Sequence, residues 1–149
     1  MKKSFLTIIA FIAIVISSTP LCAQSNLKIV GKVFDKVEAD KLFGKVLESK
    51  EVETQKLFDM LKKVDSYIMF NLMDDQVVVA DKNRTLLSDS KVTLRSDDVM
   101  HLYSKARVDE VLLKGGKSVT YIERRTDVLT ITNGVYTLEM SLTCPPICL

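Results

Sequence analysis

The sequence holds a single histidine, His101, and only three cysteines, Cys22, Cys144 and Cys148. One imidazole excludes a metal site built on a histidine pair. A serine or cysteine triad would have to be built on His101, and no G-x-S-x-G nucleophile elbow accompanies it. An excess of either charge is also missing. Lys and Arg number 21 against 19 Asp and Glu, and two of the lysines, Lys2 and Lys3, fall in the N-terminal leader described below. No basic cluster exceeds Arg124-Arg125 or Lys62-Lys63, so the strong positive field of a nucleic-acid binder is absent.

Long apolar runs are equally scarce. Phe5 to Ile16 is uncharged and almost wholly apolar, shorter than the roughly 20 residues a membrane-spanning helix needs. Lys2 and Lys3 precede it, Ser17-Ser18-Thr19-Pro20 break it, and Leu21-Cys22-Ala23 follow. These are the three regions of an export signal. The expectation is a signal peptide over residues 1–23, cleaved after Ala23. Residues 24–149 would then form one exported domain in the periplasm or extracellular space, without a transmembrane anchor. Lipidation at Cys22 is the less favoured alternative, because Thr19-Pro20-Leu21 lacks the small residue expected before a lipidated cysteine. The lysine-based leader is of bacterial type, so the Asn83-Arg84-Thr85 sequon carries no weight.

Periodicity places a strand over 27–34 and a helix from Asp35. Asp35 and Glu38 have capping-box spacing, and Ala39, Leu42, Phe43, Val46 and Leu47 form one apolar helical face. A second helix from about Glu51 carries the stripe Leu57, Met60, Leu61 and Val64. Strands follow at 68–72, 76–80 and 85–87, with turns at Asp74-Asp75 and Asp81-Asn83. After a polar connector come a strand at 99–103, a helix from Ser104 ending at Gly115-Gly116, and strands at 119–122, 128–132 and 135–142. Asn133-Gly134 reads as a type I′ hairpin turn. In the last strand Tyr136, Leu138, Met140 and Leu142 face one way and Thr137, Glu139 and Ser141 the other, the pattern of a half-buried strand.

The second half repeats the first by register. A shift of 69 sets Val30 on Val99, Phe34 on Tyr103, Asp35 on Ser104 and Asp40 on Asp109. A shift of 51 sets Ile68 on Val119, Phe70 on Tyr121 and Leu87 on Leu138. The predicted fold is α+β, with antiparallel sheets and helices packed on one face. Its two pseudo-repeats are β-α-(α)-β-β-β over about 27–87 and β-α-β-β-β over about 98–143, followed by a CPPIC tail.

Few residues point to chemistry. His101 alternates with Met100 and Leu102, as a strand-face histidine does. Gly116-Lys117-Ser118 echoes a phosphate-binding loop, but Val111 stands where the first glycine belongs and the segment leads from helix to strand. Asp74-Asp75 and Asp97-Asp98 sit at turns without calcium-loop spacing. Cys144-Pro145-Pro146-Ile147-Cys148 is the clearest signal. In an oxidising compartment a close pair left after leader removal becomes a disulfide, the preferred reading for Cys144 and Cys148. The spelling C-P-x-x-C also resembles the motif of the thioredoxin-like copper-delivery proteins of respiratory oxidase assembly, over these five residues. That resemblance implies a metal or thiol-redox site of Cys144 and Cys148, with His101 the one histidine available to complete it.

The functional expectation is an exported, non-enzymatic binding or interaction protein. It would take an unknown protein or small-molecule ligand and need no cofactor, catalytic set or nucleic acid. The alternative is a copper-type metal-binding or thiol-redox protein using Cys144, Cys148 and His101.

Overall fold

A computed structural model describes residues 28–145. The expected leader, Cys22 and Cys148 lie outside them. Strand β1 (Lys32–Asp35) runs directly into helix α1 (Lys36–Phe43), and β2 (Glu48–Glu53) directly into α2 (Thr54–Leu61). Strands β3 (Tyr67–Met73) and β4 (Gln76–Asp81) form a hairpin. After the connector, β5 (Met100–Ser104) runs into α3 (Lys105–Gly115). Strands β6 (Val119–Arg124), β7 (Leu129–Asn133), β8 (Tyr136–Glu139) and β9 (Leu142–Cys144) complete the chain.

The three strand-to-helix junctions share one device. Asp35, Glu53 and Ser104 are extended, and none makes a side-chain cap bond. The first helical N–H is met instead by a backbone carbonyl from elsewhere. Lys36 N–H donates to Val135 O, Thr54 N–H to Ser118 O and Lys105 N–H to Ser66 O, at 2.8–2.9 Å. Orphan donors at helix starts need some acceptor, and here tertiary contacts provide it. The Asp35–Glu38 capping box is therefore unused.

The fold is α+β, with two antiparallel sheets and three helices packed against them. Sheet A has the order β1-β8-β7-β6-β2, and sheet B the order β4-β3-β5-β9. Ile122, Ile131 and Leu138 of sheet A meet Ile68, Phe70 and Tyr103 of sheet B, together with Leu57 and Leu61 of α2 and Val108, Val111 and Leu112 of α3. This is the main core. A second core lies on the other face of sheet B, where Met69, Val78, Met100, Leu102 and Cys144 are covered in part by Leu86, Val92 and Leu94 of the connector.

Helix α1 packs on the opposite face of sheet A from α3, so the expectation of helices on one face is corrected. The layer beneath α1 is polar. The Arg125 side chain is fully buried there. Its guanidinium donates to Asp40 Oδ1 at 2.8 Å, Glu123 Oε2 at 3.4 Å and Thr130 Oγ1 at 3.3 Å. Thr132 Oγ1 donates to the same Glu123 oxygen at 2.8 Å. Apolar contact comes from Ala39 and from the edge-to-face pair Phe34–Phe43, with centroids 5.3 Å apart.

Other boundaries move for local reasons. Helix α1 stops at Phe43 because Gly44 takes φ +77°, a glycine conformation. Leu42, Val46 and Leu47 are consequently exposed. Residues 48–53 form strand β2 on β6, their burial alternating with period two. The last strand breaks at Met140, φ +70°, where the chain leaves sheet A for sheet B. Thr137 and Glu139 are buried rather than solvated because α1 and sheet B cover them. Asp74 and Asp75 both have positive φ, as a type I′ turn requires. In the β7–β8 hairpin Asn133 pairs with Tyr136, which makes Gly134-Val135 the turn and Asn133 a strand residue.

The exact repeat pattern is not reproduced. Strand β2 is an extra element, the third strand of the first half shrinks to the single bridge Ala80↔Leu86, and β9 is added to the second. Nor does each half own a sheet. Strands β1 and β2 complete the sheet of β6–β8, while β5 and β9 complete that of β3 and β4.

A Cβ on Gly115 would lie 2.1 Å from Asn133 Oδ1 and 2.3 Å from Asn133 O. Backbone cannot yield as a flexible side chain can, so Gly115→Ala is expected to cost about 2–4 kcal/mol. Urea denaturation against the parent protein measures it, and a change within 0.5 kcal/mol, about the size of a neutral surface substitution, would contradict this packing.

Candidate functional site

Helix α2 buries Thr54, Leu57 and Leu61 and leaves Phe58 half-buried. Helix α3 buries Val108, Val111 and Leu112 and leaves Leu113 71% exposed. The two run antiparallel, since the start of α2 lies by the end of α3 and the end of α2 by the start of α3. Between them lies a trough in three linked parts. The first, about 550 Å³, is lined by Glu53–Gln55 and Phe58 on one side and Leu112, Leu113 and Gly116–Ser118 on the other. The middle part, about 420 Å³, shares Gln55 and Phe58 and adds Leu61, Lys62, Lys105 and Asp109. The far end, about 340 Å³, shares Lys105 and Asp109 and reaches Ile29, Tyr67 and Ser104.

One buried amide fixes the near end. Asn133 Nδ2 lies within hydrogen-bonding distance of Thr54 Oγ1, Thr120 Oγ1, Lys117 O and Val119 O, at 2.8–3.2 Å. Its Oδ1 accepts Lys117 N–H at 2.9 Å. Thr54 Oγ1 also donates to Lys117 O at 2.7 Å. A helix start does adjoin Gly116-Lys117-Ser118, though it belongs to α2. The groups turned toward that start are the carbonyls of Lys117 and Ser118. Acceptors cannot cradle a phosphate, so the segment does not act as a phosphate loop.

A second polar cluster occupies the seam where sheet A hands the chain to sheet B. His101 Nδ1 is 3.1 Å from Ser141 Oγ, and Ser141 Oγ donates to Glu139 Oε1 at 3.1 Å. The Glu139 carboxylate also accepts the N–H groups of Met140 and Ser141. Tyr103 donates its hydroxyl to Leu129 O, beyond the last β7–β8 pair. Burial, then the nearby Arg124 charge, pushes His101 down to about 4. Burial raises Glu139, opposed by its bonds from Ser141. Burial and the neighbouring Glu139 hold Tyr103 well above the usual phenol range. Arg124 is itself tied to Glu48 Oε2 at 3.1 Å and Leu72 O at 2.5 Å.

The serine lies between His101 and the carboxylate, whereas a catalytic triad puts the histidine between serine and carboxylate. The trough does not reach these residues. Their geometry joins the sheets rather than presenting a nucleophile.

Of the expected metal ligands, His101 and Cys144 lie among the described residues, and the structure does not bring these two together. His101 pairs with Thr143 and Met100 with Cys144, so His101 and Cys144 point to opposite faces of sheet B. The expected Cys144–Cys148 disulfide reaches outside the described residues, among which Cys144 is the only cysteine. Its side chain is drawn into the second core; it is engaged and not a free thiol. Among the described residues no three His, Cys, Asp or Glu side chains gather as a metal would need. Asp75 pairs with Lys50, while Asp98 accepts Arg95 N–H at 2.7 Å, so both aspartate pairs serve turns. No described helix is long and apolar enough to cross a membrane.

Sequence reasoning missed Asn133, Glu139, Arg124 and Arg125. The signal available was a run of polar residues, Thr130, Thr132, Thr137 and Glu139, on one parity of adjacent strands. No family model, curated protein or solved structure matches this chain.

The His101 shift fixes a pH dependence. Its folded value, about 4, lies below its ordinary 6.5, so the unfolded chain binds the proton first. Stability is lost as pH falls from about 6.5 to about 4, by at most about 3 kcal/mol. The raised Glu139 has the opposite sign, its contribution present in acid and fading as pH rises. Subtracting His101→Gln from the parent in denaturation at pH 7, 5.5 and 4.5 isolates the histidine. The difference should shrink or reverse as pH falls, and a constant difference would refute the assignment.

Proposed function

We propose that this is an exported, non-enzymatic binding protein whose ligand lies in the trough between α2 and α3. The carrying observation is the trough itself, floored by Phe58, Leu61 and Leu112 and running along both helices. Small-molecule sites enclose most of their ligand. A trough open along its length covers one side of its occupant, which suits a polypeptide segment of another protein with apolar side chains turned inward. Lys62, Lys105 and Lys117 stand along the rim beside Glu53, Asp65 and Asp109, a mixed charge that favours flanking residues of both signs.

Export rests on the leader pattern of residues 1–23, and its test is intact mass, with Gln24 expected as the mature N-terminus. A diacylglyceryl addition on Cys22 would replace that reading. Descent of the two halves by duplication belongs to the same proposal. It is supported by the matched strand-to-helix junctions at Asp35-Lys36 and Ser104-Lys105. Superposing 27–47 and 67–87 on 98–142 tests it, and failure of the Cα atoms to overlay would reject common descent.

Selection from a random peptide library on the immobilised domain tests the binding reading. Enriched peptides should broaden amide resonances of α2 and α3, and Phe58→Asp should weaken them at least about tenfold, the loss of one buried aromatic anchor. Peptides that map to another surface, or an unaffected Phe58→Asp variant, would overturn it.

A further inference from the structure

Asn133 is the only asparagine in the chain followed by glycine. Such a pair can modify itself, because asparagine is a labile amide and a glycine nitrogen carries no side chain to hinder its approach. The Gly134 nitrogen bonds to Asn133 Cγ, the Cγ–Nδ2 bond breaks, and ammonia leaves with the Gly134 amide proton. Water then opens the cyclic imide at either carbonyl and leaves aspartate or isoaspartate. The reaction requires the Asn133 side chain to swing over its own backbone, and the fold blocks that rotation. Oδ1 accepts Lys117 N–H at 2.9 Å, and Nδ2 faces Thr54 Oγ1, Thr120 Oγ1, Lys117 O and Val119 O. Asn133 is fully buried, and a Cβ on Gly115 would lie 2.1 Å from Oδ1. Neither member of the pair is dispensable. Asn133 ties α2 to residues 117–120 and β7, and Gly134 opens the β7–β8 turn at φ +61°, where glycine is favoured.

We propose that Asn133-Gly134 is a self-modification site, protected in the closed fold and made reactive when the corner between α3 and β7 opens, whose product no longer rebuilds the near end of the trough. Aspartate at this position keeps an acceptor for Lys117 N–H. Its second oxygen has no proton to offer Lys117 O and Val119 O, where the amide had two. A buried carboxylate then faces two carbonyls with no cation among its partners. Isoaspartate also lengthens the backbone by one carbon beside the Asn133–Tyr136 pair, which disturbs the register of the hairpin. The conversion therefore runs one way. A chain that stays open long enough is converted and does not return to the parent fold, whatever the trough binds.

Incubation of the full domain at pH 8, followed by tryptic mass mapping, tests the site. Residues 126–149 contain no Lys or Arg, and Asn133 is their only amide side chain, so the amide-to-acid mass gain in that fragment reports this residue alone. The free peptide of residues 130–137 is the unprotected reference. Asn133 in the domain should convert about tenfold or more slowly than in the peptide, as protection by a closed state requires. Gly115→Ala, which presses on the amide, should speed conversion in the domain about threefold or more. Equal rates in domain and peptide, or a rate unmoved by Gly115→Ala, would overturn the inference. Should Gly115→Ala not fold, Thr54→Val replaces it by removing a hydroxyl that faces Nδ2, and an unmoved rate counts equally against the proposal. Asn133→Asp reproduces the product. Its melting temperature should fall below the parent's by about 5 °C or more at pH 7. The deficit should narrow toward pH 4, where a protonated carboxyl donates again as the amide does. Parent-like melting at pH 7, or a deficit indifferent to pH, would overturn the one-way step.

Discussion

The buried amide of Asn133 is the constraint on which most of the architecture turns. It contacts the first residue of α2, the loop after α3 and strand β6, while its own backbone pairs in β7. The start of α2, the stretch from Lys117 to Thr120 and strand β7 are referred to one side chain. Gly115 fits beside it only because it lacks a Cβ. A buried amide with both ends satisfied is costly to misplace, since each lost partner leaves a desolvated donor or acceptor. The spacing of α2 and α3 at the near end of the trough is thus set by hydrogen-bond geometry. Apolar packing alone would let the helices slide.

The helix starts follow the same logic. Each first N–H reaches a backbone carbonyl supplied by another segment, so the start of each helix is a tertiary contact rather than a local capping event. A helix of eight residues has little stability of its own. The helices α1 and α2, both of that length, exist because the sheets hold them. This couples the trough to the sheets directly: Thr54 is at once the first residue of α2, a partner of Asn133 and part of the trough lining.

Much of this was legible in the sequence where period and turn chemistry act locally. The stripe of α2, the face of α3, its glycine stop and the β3–β4 hairpin all follow from spacing. What was not legible depended on which surface each face meets. Thr137 and Glu139 read as solvent-facing because alternation cannot tell water from a polar layer beneath a helix. Leu42, Val46 and Leu47 read as one buried helical face, yet Gly44 interrupts the helix before that face is complete. The seam was hidden for another reason. Met140 carries the apolar parity of a strand, and nothing in its spelling announces a left-handed residue. His101 was visible as the lone imidazole, but its partner Ser141 lies 40 residues away and meets it only because β9 crosses to the other sheet.

Sheet A is therefore a layer with two different interfaces, and the difference bears on function. Its inner face is apolar and packs against α3, which fixes one wall of the trough without specifying direction. Its outer face binds α1 through Arg125, whose planar guanidinium needs Asp40, Glu123 and Thr130 in particular places. Losing one of those partners would strand a buried charge, which costs more than the assembled network contributes. Such a layer selects one docking position for α1 and offers no apolar alternative to slide toward. The seam applies the same principle at the other end of β8, with one difference. The Arg125 layer lies beneath a helix and is built on a guanidinium, whereas the seam is built on His101 and Glu139, whose burial moves both from their ordinary range.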